Sequence, residues 1–278
     1  MSTTQTIVQR RASDVRIAGA AGYALALQVA HPTIAAGVRD HSSYATNPWG
    51  RLFGTIDFVA LLVYGKPEQS ARATAQLREM HKRIRGTDLD GTRYSALEPT
   101  AYAWVHATLA DAVVRGHHYF GKQFTASEKD MFWAEWLGYG TMLGIRDGDL
   151  PDTWTGYEAY RRDMVDNVLT HNDVVDSVQQ IADAGAVGGS PFGWLPARAW
   201  GVVGKPGGRY VAFLGKGTMG DELREKLHVD WTPKQDKLFR RIAAVYRGAQ
   251  PVMVPPLKKI GPLALKVRKR EIARGPFV

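Results

Sequence analysis

Residues 68–86, EQSARATAQLREMHKRIRG, contain the helical pattern around which the rest of the chain is interpreted. Pro67 suits the first position of a helix, where its missing N–H is harmless, and Gly86 suits the left-handed residue that often follows a helix. Between them, five side chains form one stripe at helical spacing, and charged side chains cover the remaining surface. The stripe consists of Ala73, Leu77, Met80, His81 and Ile84. The pattern predicts an amphipathic helix with an imidazole on its buried face.

The predicted burial of His81 has two explanations. A buried histidine is most often a core residue whose ring hydrogen-bonds a backbone carbonyl. The alternative is an axial ligand to a buried metal ion or to haem iron. This helix alone does not distinguish the two interpretations.

The composition restricts which chemistry the chain can use. With 278 residues, 45% of them hydrophobic, it can bury one large core or two modest ones. No linker-like stretch separates two parts, so one domain is expected. The sequence has no cysteine. This excludes disulfides, iron–sulfur clusters and thiolate-bound zinc or haem, so a metal would be held by His, carboxylate, Tyr or Met.

The first forty residues indicate a cytosolic protein. Residues 1–16 are polar and lack the apolar core of a secretory signal. Residues 17–38 carry no Asp, Glu, Lys or Arg and are long enough to cross a bilayer. However, this segment is rich in Gly and Ala, and His31-Pro32 interrupts it, so two buried helices are favoured over a membrane span.

The net charge of +9 is concentrated near the C-terminus, where seven of residues 258–274 are basic and one is acidic. The rest of the chain is nearly balanced in total charge. A basic tail, here residues 251–278, can contact phosphates, touch an anionic membrane peripherally or remain solvated. We expect no nucleic-acid partner.

The rest of the sequence also predicts mainly helices. Residues 49–63 predict a largely buried helix on which Arg51 and Thr55 share a face. Another helix begins at Pro99, and Thr125-x-x-Glu128 is the capping box of the next. Residues 185–220 are rich in Gly and Pro and predict long loops. The expected fold is all-α, a single-domain bundle of about nine helices.

Several common catalytic motifs are absent from the sequence. It contains no His-Glu-x-x-His pair, no phosphate-binding loop ending in Lys-Ser/Thr, and no Gly-x-Ser-x-Gly turn. Of the eight histidines, four have polar neighbours and are expected to be exposed, namely His117, His118, His171 and His228. The other four are His31, His41, His81 and His106.

Those four histidines leave several kinds of site open. A haem b site needs one axial histidine, cations for two propionates and a large apolar or aromatic enclosure. Arg51, Arg83 and Arg85 and eight tryptophans could meet these needs. A non-haem site using His31, His41 and His81 is an alternative, as is a helical binding protein without redox chemistry.

A series of motifs follows in order along most of residues 12–250. The N-terminal motifs are Gly22-Tyr23-Ala24-Leu25-Ala26-Leu27-Gln28-Val29-Ala30-His31-Pro32, Gly37-Val38-x-x-His41-Ser42 and Pro48-Trp49-Gly50-Arg51-Leu52-x-x-Thr55. The later motifs are Met80-His81-x-x-Ile84-Arg85-Gly86, Tyr94-Ser95-Ala96, Trp104-Val105-His106-Ala107-Thr108-Leu109 and Leu223-Arg224-Glu225-x-Leu227 with Trp231-Thr232. Together they resemble one oxygenase family, that of the latex-clearing rubber oxygenases and the MpaB-type oxygenase that cuts a farnesyl chain.

The resemblance implies an all-α domain over residues 12–250 that holds haem b through one axial histidine. Arg51 and Thr55 match a family pair one helical turn apart, and His81 matches the axial position. The interval from Thr55 to His81 is shorter than in rubber oxygenases, which makes His106 a rival ligand. The family's distal glutamate has no counterpart, because no glutamate precedes Glu68. Asp40, His41 and Asp57 are possible substitutes, and this departure weakens the case for double-bond cleavage.

The sequence thus predicts a haem b-dependent oxygenase or oxidase that uses O₂ or peroxide on a small apolar or aromatic substrate. His81 would be the metal ligand. Arg51 would stabilise negative charge on dioxygen or anchor a propionate, and Thr55 would position Arg51 or a water. His41 would relay protons, and Arg85 and His106 are further cofactor-binding candidates. The alternative is a helical protein that binds anionic membrane or nucleic-acid surfaces without redox chemistry.

Overall fold

The computed structural model describes residues 5–185, 196–249 and 265–266. Most of these residues are in twelve α-helices, so the predicted all-α class is confirmed and the number of helices exceeds the expected nine. The first six are α1 (Ile7–Ala12), α2 (Ala21–Val29), α3 (Pro32–His41), α4 (Pro48–Tyr64), α5 (Pro67–Arg83) and α6 (Pro99–Phe120). The others are α7 (Ala126–Leu143), α8 (Trp154–Asp163), α9 (Asp173–Ala184), α10 (Ala197–Thr218), α11 (Asp221–Lys226) and α12 (Pro233–Gly248).

Short elements complete the described part of the chain. A 3₁₀-helix, Val15–Ala20, precedes α2, and a π-helical turn, Met164–Val168, follows α8. The strands β1 (Arg85–Thr87) and β2 (Arg93–Ser95) pair antiparallel between α5 and α6. Helix α3 packs against this hairpin, with Gly37 close to the side chains of Ile84 and Tyr94.

Local capping chemistry sets several of the helix ends. Pro67 lies in the first turn of α5, as predicted. The capping box of α7 is confirmed: Glu128 donates its backbone N–H to the Thr125 hydroxyl at 3.1 Å, and its carboxylate accepts from the Thr125 N–H at 3.0 Å. These bonds satisfy N–H groups that have no partner within the helix.

The end of α5 differs from the prediction. The helix stops at Arg83, and Gly86 lies in β1 opposite Tyr94 rather than in a left-handed cap. A Cβ atom on Gly86 would lie 2.7 Å from the Tyr94 hydroxyl, which explains why a glycine fits there. The glycine therefore serves the close approach of the two strands.

The loops predicted for residues 185–220 are wrong over residues 197–218, which form the 22-residue helix α10 with Pro206 inside it. Close packing accounts for the glycines. A Cβ on Gly215 would lie 2.9 Å from the Gly22 Cα, and one on Gly217 would lie 2.3 Å from the Phe239 ring. Tertiary packing here overrides the low helix propensity of glycine. Residues 186–195 lie outside the described part.

The core is arranged around α6, which is buried along most of its length. One apolar cluster joins α2, α9 and α11 to Trp104, and another joins α6, α7 and α8 through Trp133, Trp136 and Tyr157. Residues 17–38 form separate short helices broken at His31, as the favoured interpretation predicted. None of the helices described here is long and apolar enough to cross a bilayer.

Helices α4 and α5 form an antiparallel hairpin closed by Gly65 and Lys66. Its inner face is an apolar cluster that includes Leu143 of α7 and the partly buried Met80 and Leu265. Of the predicted basic tail, the structure describes only Leu265 and Lys266. The other tail residues lie outside the described part.

Candidate functional site

The α4–α5 hairpin brings Arg51 and His81 to the same level. Arg51 is in the first turn of α4 and His81 is in the last turn of α5. At 1.5 Å of rise per residue, both lie roughly 20 Å from the connection between the helices. The hairpin therefore presents a guanidinium and an imidazole at one end of the bundle.

The His81 ring is partly buried and meets the Tyr102 ring edge-on, with centroids 5.5 Å apart and planes at 78°. Its Nδ1 atom is fully buried and makes no hydrogen bond. The ring has no other hydrogen bond within the described residues. The buried nitrogen of a core histidine normally forms a hydrogen bond. The His81 ring therefore lacks the backbone carbonyl partner that is expected of a histidine with a purely structural role.

The electrostatic surroundings keep His81 neutral. Burial, with a smaller contribution from the positive charge of Arg51, lowers the pKa of His81 to about 4, whereas the Leu77 carbonyl one turn earlier opposes the shift. The Leu77 carbonyl favours the protonated ring, but its geometry is not that of an ordinary hydrogen bond to Nδ1. A neutral imidazole is the form that binds metals.

Arg51 contacts Ser42, and we call the space around these two residues and His81 the recess. The Arg51 side chain is solvent-accessible, yet desolvation by surrounding atoms lowers its pKa. Its Nε donates to the Ser42 hydroxyl at 3.3 Å, and no carboxylate pairs with it within the described residues. An unpaired guanidinium in such a place can bind an anionic group.

Thr55 contacts Arg51 directly, and His41 precedes a residue that does. The Thr55 hydroxyl donates to the Arg51 backbone carbonyl at 3.2 Å, so it contacts the main chain and not the guanidinium. His41 is exposed at the end of α3, with its ring 6.3 Å from the ring of Tyr94. Ser42, the next residue, is the one that contacts Arg51. The ends of α3 and α5 and the start of α4 thus meet around one recess.

His106, the rival ligand, has structural partners. Its Nε2 lies 3.0 Å from the Trp136 carbonyl, and Trp136 Nε1 donates to the His106 carbonyl at 3.0 Å. The two rings stack at 5.1 Å, and burial lowers the pKa of His106 to about 4. Arg85 is exposed in β1, and its side chain has no hydrogen bond or ion pair within the described residues.

Comparison with known proteins identifies the domain. A family model described as "ER-bound oxygenase mpaB/B'/Rubber oxygenase, catalytic domain" matches residues 9–248. The chain belongs to the mpaB/rubber oxygenase family. The match covers the whole recess, so the recess lies within an oxygenase catalytic domain, and a substrate and O₂ are the partners that such a domain implies.

Two relatives with similar sequences come from mycobacteria. They are uncharacterized protein Mb2261 of Mycobacterium bovis and uncharacterized protein Rv2237 of Mycobacterium tuberculosis. Each is 22% identical over 227 residues, covering 80% of this chain and 84% of the relative. No solved structure matches the chain significantly.

The proposed substitutes for the family's distal glutamate occupy different environments. Asp40 is exposed and accepts a short hydrogen bond from the Tyr94 hydroxyl, which contributes with burial to raising the pKa of Tyr94 to about 12. Asp57 is buried within α4. His31, a member of the non-haem alternative, is buried at the start of α3 with its Nδ1 unpartnered, and burial lowers its pKa.

The non-haem alternative loses its geometric basis in this oxygenase. Across residues 5–185 and 196–249 no group of three or more His, Asp or Glu side chains is arranged to hold a metal ion. His31, His41 and His81 therefore do not form a three-ligand site. The expectation that His117 is exposed is also wrong, because it is buried and its Nε2 lies 2.9 Å from the Arg11 carbonyl.

Two residues of the recess were not assigned roles from the sequence. Ser42 accepts a hydrogen bond from Arg51, and Tyr102 packs on His81 while its own hydroxyl is buried without a partner. Tyr102 also lines a cavity of about 180 Å³ with Arg78. The sequence could have drawn attention to Tyr102 through its spacing, because it precedes His106 by four residues and so lies on the same face of α6.

Proposed function

We propose that this member of the mpaB/rubber oxygenase family is a haem b-dependent oxygenase or oxidase. It acts on a small apolar or aromatic substrate with O₂ or peroxide. The observation that carries the proposal is the unpartnered His81 ring, which lies near an Arg51 side chain with no acidic partner among the described residues. Family membership supports the oxygenase class.

The residues of the recess fit a haem. Haem b offers an iron that takes a neutral imidazole, two carboxylates that need cations and a wide apolar surface. His81 supplies a neutral ring whose buried nitrogen has no partner. Arg51 and the exposed Arg85 of β1 supply cations without an acidic partner among the described residues, and the Tyr102 ring supplies an aromatic contact beside His81.

Haem, when bound, supplies the redox chemistry, while the protein supplies binding, orientation and polarity. In our proposal His81 binds the iron through a neutral ring nitrogen. Arg51 balances a propionate or other negative charge in the recess, with Ser42 orienting its Nε. Thr55 holds the Arg51 backbone, and the exposed His41 exchanges protons with water at the mouth.

His106 takes a structural role in this proposal. Its Nε2 already faces the Trp136 carbonyl. Binding iron would require breaking that contact and separating two stacked rings. We therefore assign His81 and not His106 as the axial ligand.

Haem titration of the purified protein tests the assignment. Wild type is expected to develop a Soret band with saturable stoichiometry, and His81→Ala is expected to lose it. His106→Gln, which retains an N–H donor for the Trp136 carbonyl, is expected to keep it. If His81→Ala binds haem as wild type does and His106→Gln does not, the ligand assignment is wrong. A folded wild-type protein that binds no haem would favour a binding protein without redox chemistry.

A further inference from the structure

The outward sides of α10 and α12 form a surface that the oxygenase site does not use. We call it the basic face. On α10 it comprises Arg198, Val202, Val203, Lys205 and Arg209, and on α12 it comprises Lys234, Lys237, Leu238, Arg241 and Val245, all of them exposed.

The two helices that carry the basic face are in contact and run antiparallel. The Tyr210 hydroxyl donates to the Tyr246 hydroxyl at 3.0 Å, while Gly217 near the other end of α10 packs on Phe239. The α10 residues of the face therefore lie toward one end of the helix pair and the α12 residues toward the other. Within each helix, exposed residues at spacings of three and four form a stripe; they are Arg198, Val202, Lys205 and Arg209 on α10, and Lys234, Lys237, Arg241 and Val245 on α12.

Aliphatic side chains interrupt the cations on this face. Val202 is 74% exposed, Val245 71%, Val203 52% and Leu238 51%. A single exposed aliphatic residue is ordinary on a protein surface. Four of them interleaved with cations is the composition of helices that lie at a membrane surface, with aliphatic side chains in the acyl boundary and cations at the headgroups.

Positive charge is concentrated on α10 and α12, although the net charge of the chain outside its C-terminal tail is small. Helix α10 has four basic residues and no acidic residue, and α12 has five basic residues and one acidic residue. Asp236 pairs with Arg240, and Asp183 pairs with Lys216. Within the described part of the chain, the five Lys and Arg residues of the face other than Arg209 make no ion pair or hydrogen bond.

We propose that the basic face docks the protein onto the surface of an anionic phospholipid bilayer. The cations attract lipid phosphates, and Val202, Leu238 and Val245 enter the boundary between headgroups and acyl chains. A nucleic acid would satisfy the cations equally well but would gain nothing from the aliphatic side chains. The membrane is therefore the partner that fits both features.

The basic face lies next to the oxygenase recess. Trp200 of α10 meets Trp49 of α4 edge-on at 5.3 Å, two residues before Arg51. If the proposed function holds, an apolar substrate dissolved in the bilayer would enter from this side. Membrane docking does not depend on haem and can be tested without it.

The first test measures binding of the full-length, haem-free protein to sedimented phosphatidylcholine vesicles with or without phosphatidylglycerol. Binding is expected only with phosphatidylglycerol and is expected to weaken with salt. Lys237→Gln/Arg241→Gln is expected to reduce partitioning about 30-fold, since each cation near the surface contributes about fivefold. The control Arg72→Gln/Arg162→Gln removes the same charge from exposed residues of α5 and α8 and is expected to have little effect.

Two outcomes would overturn the proposal. In the first, Lys258→Gln/Lys259→Gln in the tail reduces binding as strongly as predicted for the face, while Lys237→Gln/Arg241→Gln does not. In the second, RNA of matched charge binds more tightly than the vesicles and displaces them. Because none of these measurements requires haem, their failure is distinguishable from failure of the oxygenase proposal.

A second test locates the contact. The chain has no cysteine, so Val245→Cys gives one labelling site for an environment-sensitive dye. Its emission is expected to shift to the blue on phosphatidylglycerol vesicles. Met131→Cys on α7 is the matched control, since Met131 is also an exposed apolar side chain, 53% accessible. Equal shifts at the two sites, or none at Val245→Cys despite binding, would contradict docking through this face.

Discussion

His106 and Trp136 exchange two hydrogen bonds: the His106 ring nitrogen lies 3.0 Å from the Trp136 carbonyl, and the Trp136 ring N–H donates to the His106 carbonyl at 3.0 Å. These two hydrogen bonds connect α6 to α7 within the core. His81 has no equivalent bond. This contrast between the buried His106 and the partly buried His81 motivates the first prediction.

His106→Leu is expected to destabilise the protein by about 2–3 kcal/mol, because it leaves the buried Trp136 carbonyl unpaired and removes a stacked ring. Urea unfolding of the haem-free protein measures this difference. His118→Leu, on the exposed side of the same helix, is the control and should change stability by no more than about 0.5 kcal/mol. Equal stabilities for the two variants would contradict the structural role of His106.

The pH dependence of stability should also report His106. Burial lowers its pKa to about 4 from an ordinary 6.5, so the unfolded chain binds a proton in this interval and the folded protein does not. The stabilisation is therefore complete above pH 6.5 and is lost as the pH falls toward 4. At about pH 5 the loss from this residue is on the order of 2 kcal/mol.

Comparing wild type with His106→Leu isolates that contribution. The gap in unfolding free energy between the two proteins should narrow as the pH falls from about 7 to about 5. His118→Leu provides the background. A gap that stays constant or widens would mean that His106 is protonated in the folded protein.

Arg51→Gln is expected to weaken haem binding about tenfold or more, because it removes a charge-assisted hydrogen bond to an anionic group in the recess. Soret titration gives the dissociation constant. Arg72→Gln, on the exposed side of α5, removes the same charge outside the recess and should bind haem normally. Unchanged affinity in Arg51→Gln would remove Arg51 from the cofactor site.

Gly215→Ala is expected to destabilise the protein by about 1–3 kcal/mol through overpacking, because the new Cβ would lie 2.9 Å from the Gly22 backbone. Gly201→Ala in the same helix has open space around its Cβ. It should stabilise α10 by up to about 1 kcal/mol through higher helix propensity. Thermal unfolding of both variants tests whether α10 packs on α2 as described, and a neutral Gly215→Ala would contradict that packing.

The parts of the fold that were predicted correctly depend on interactions between residues that are close in sequence. The start of α5 at Pro67 and the Thr125–Glu128 capping box follow from neighbouring residues and were predicted correctly. Helix α10 was missed because its glycines argue against a helix locally, and only the close approach of α2 and α12 explains them. Gly86 was misread for the same reason, since its partner, Tyr94, belongs to another strand.

The candidate site divides in a similar way. Motif order indicated the oxygenase family, and helical spacing placed His81 on a buried face and Arg51 and Thr55 one turn apart. The choice between His81 and His106 could not be made, because both have apolar neighbours at helical spacing. It depended on whether a carbonyl from another helix reaches the ring.

The sequence by itself determined the helical class, the lack of thiolate chemistry and the residue types available for a cofactor, because these depend on composition and on contacts within a few residues. Only the tertiary structure decided that the His81 ring has no hydrogen-bond partner whereas His106 has one, that Arg51 contacts Ser42 rather than an acid, and that α10 and α12 pack against each other. Those properties depend on atoms far apart in the chain, whose distances are set by packing.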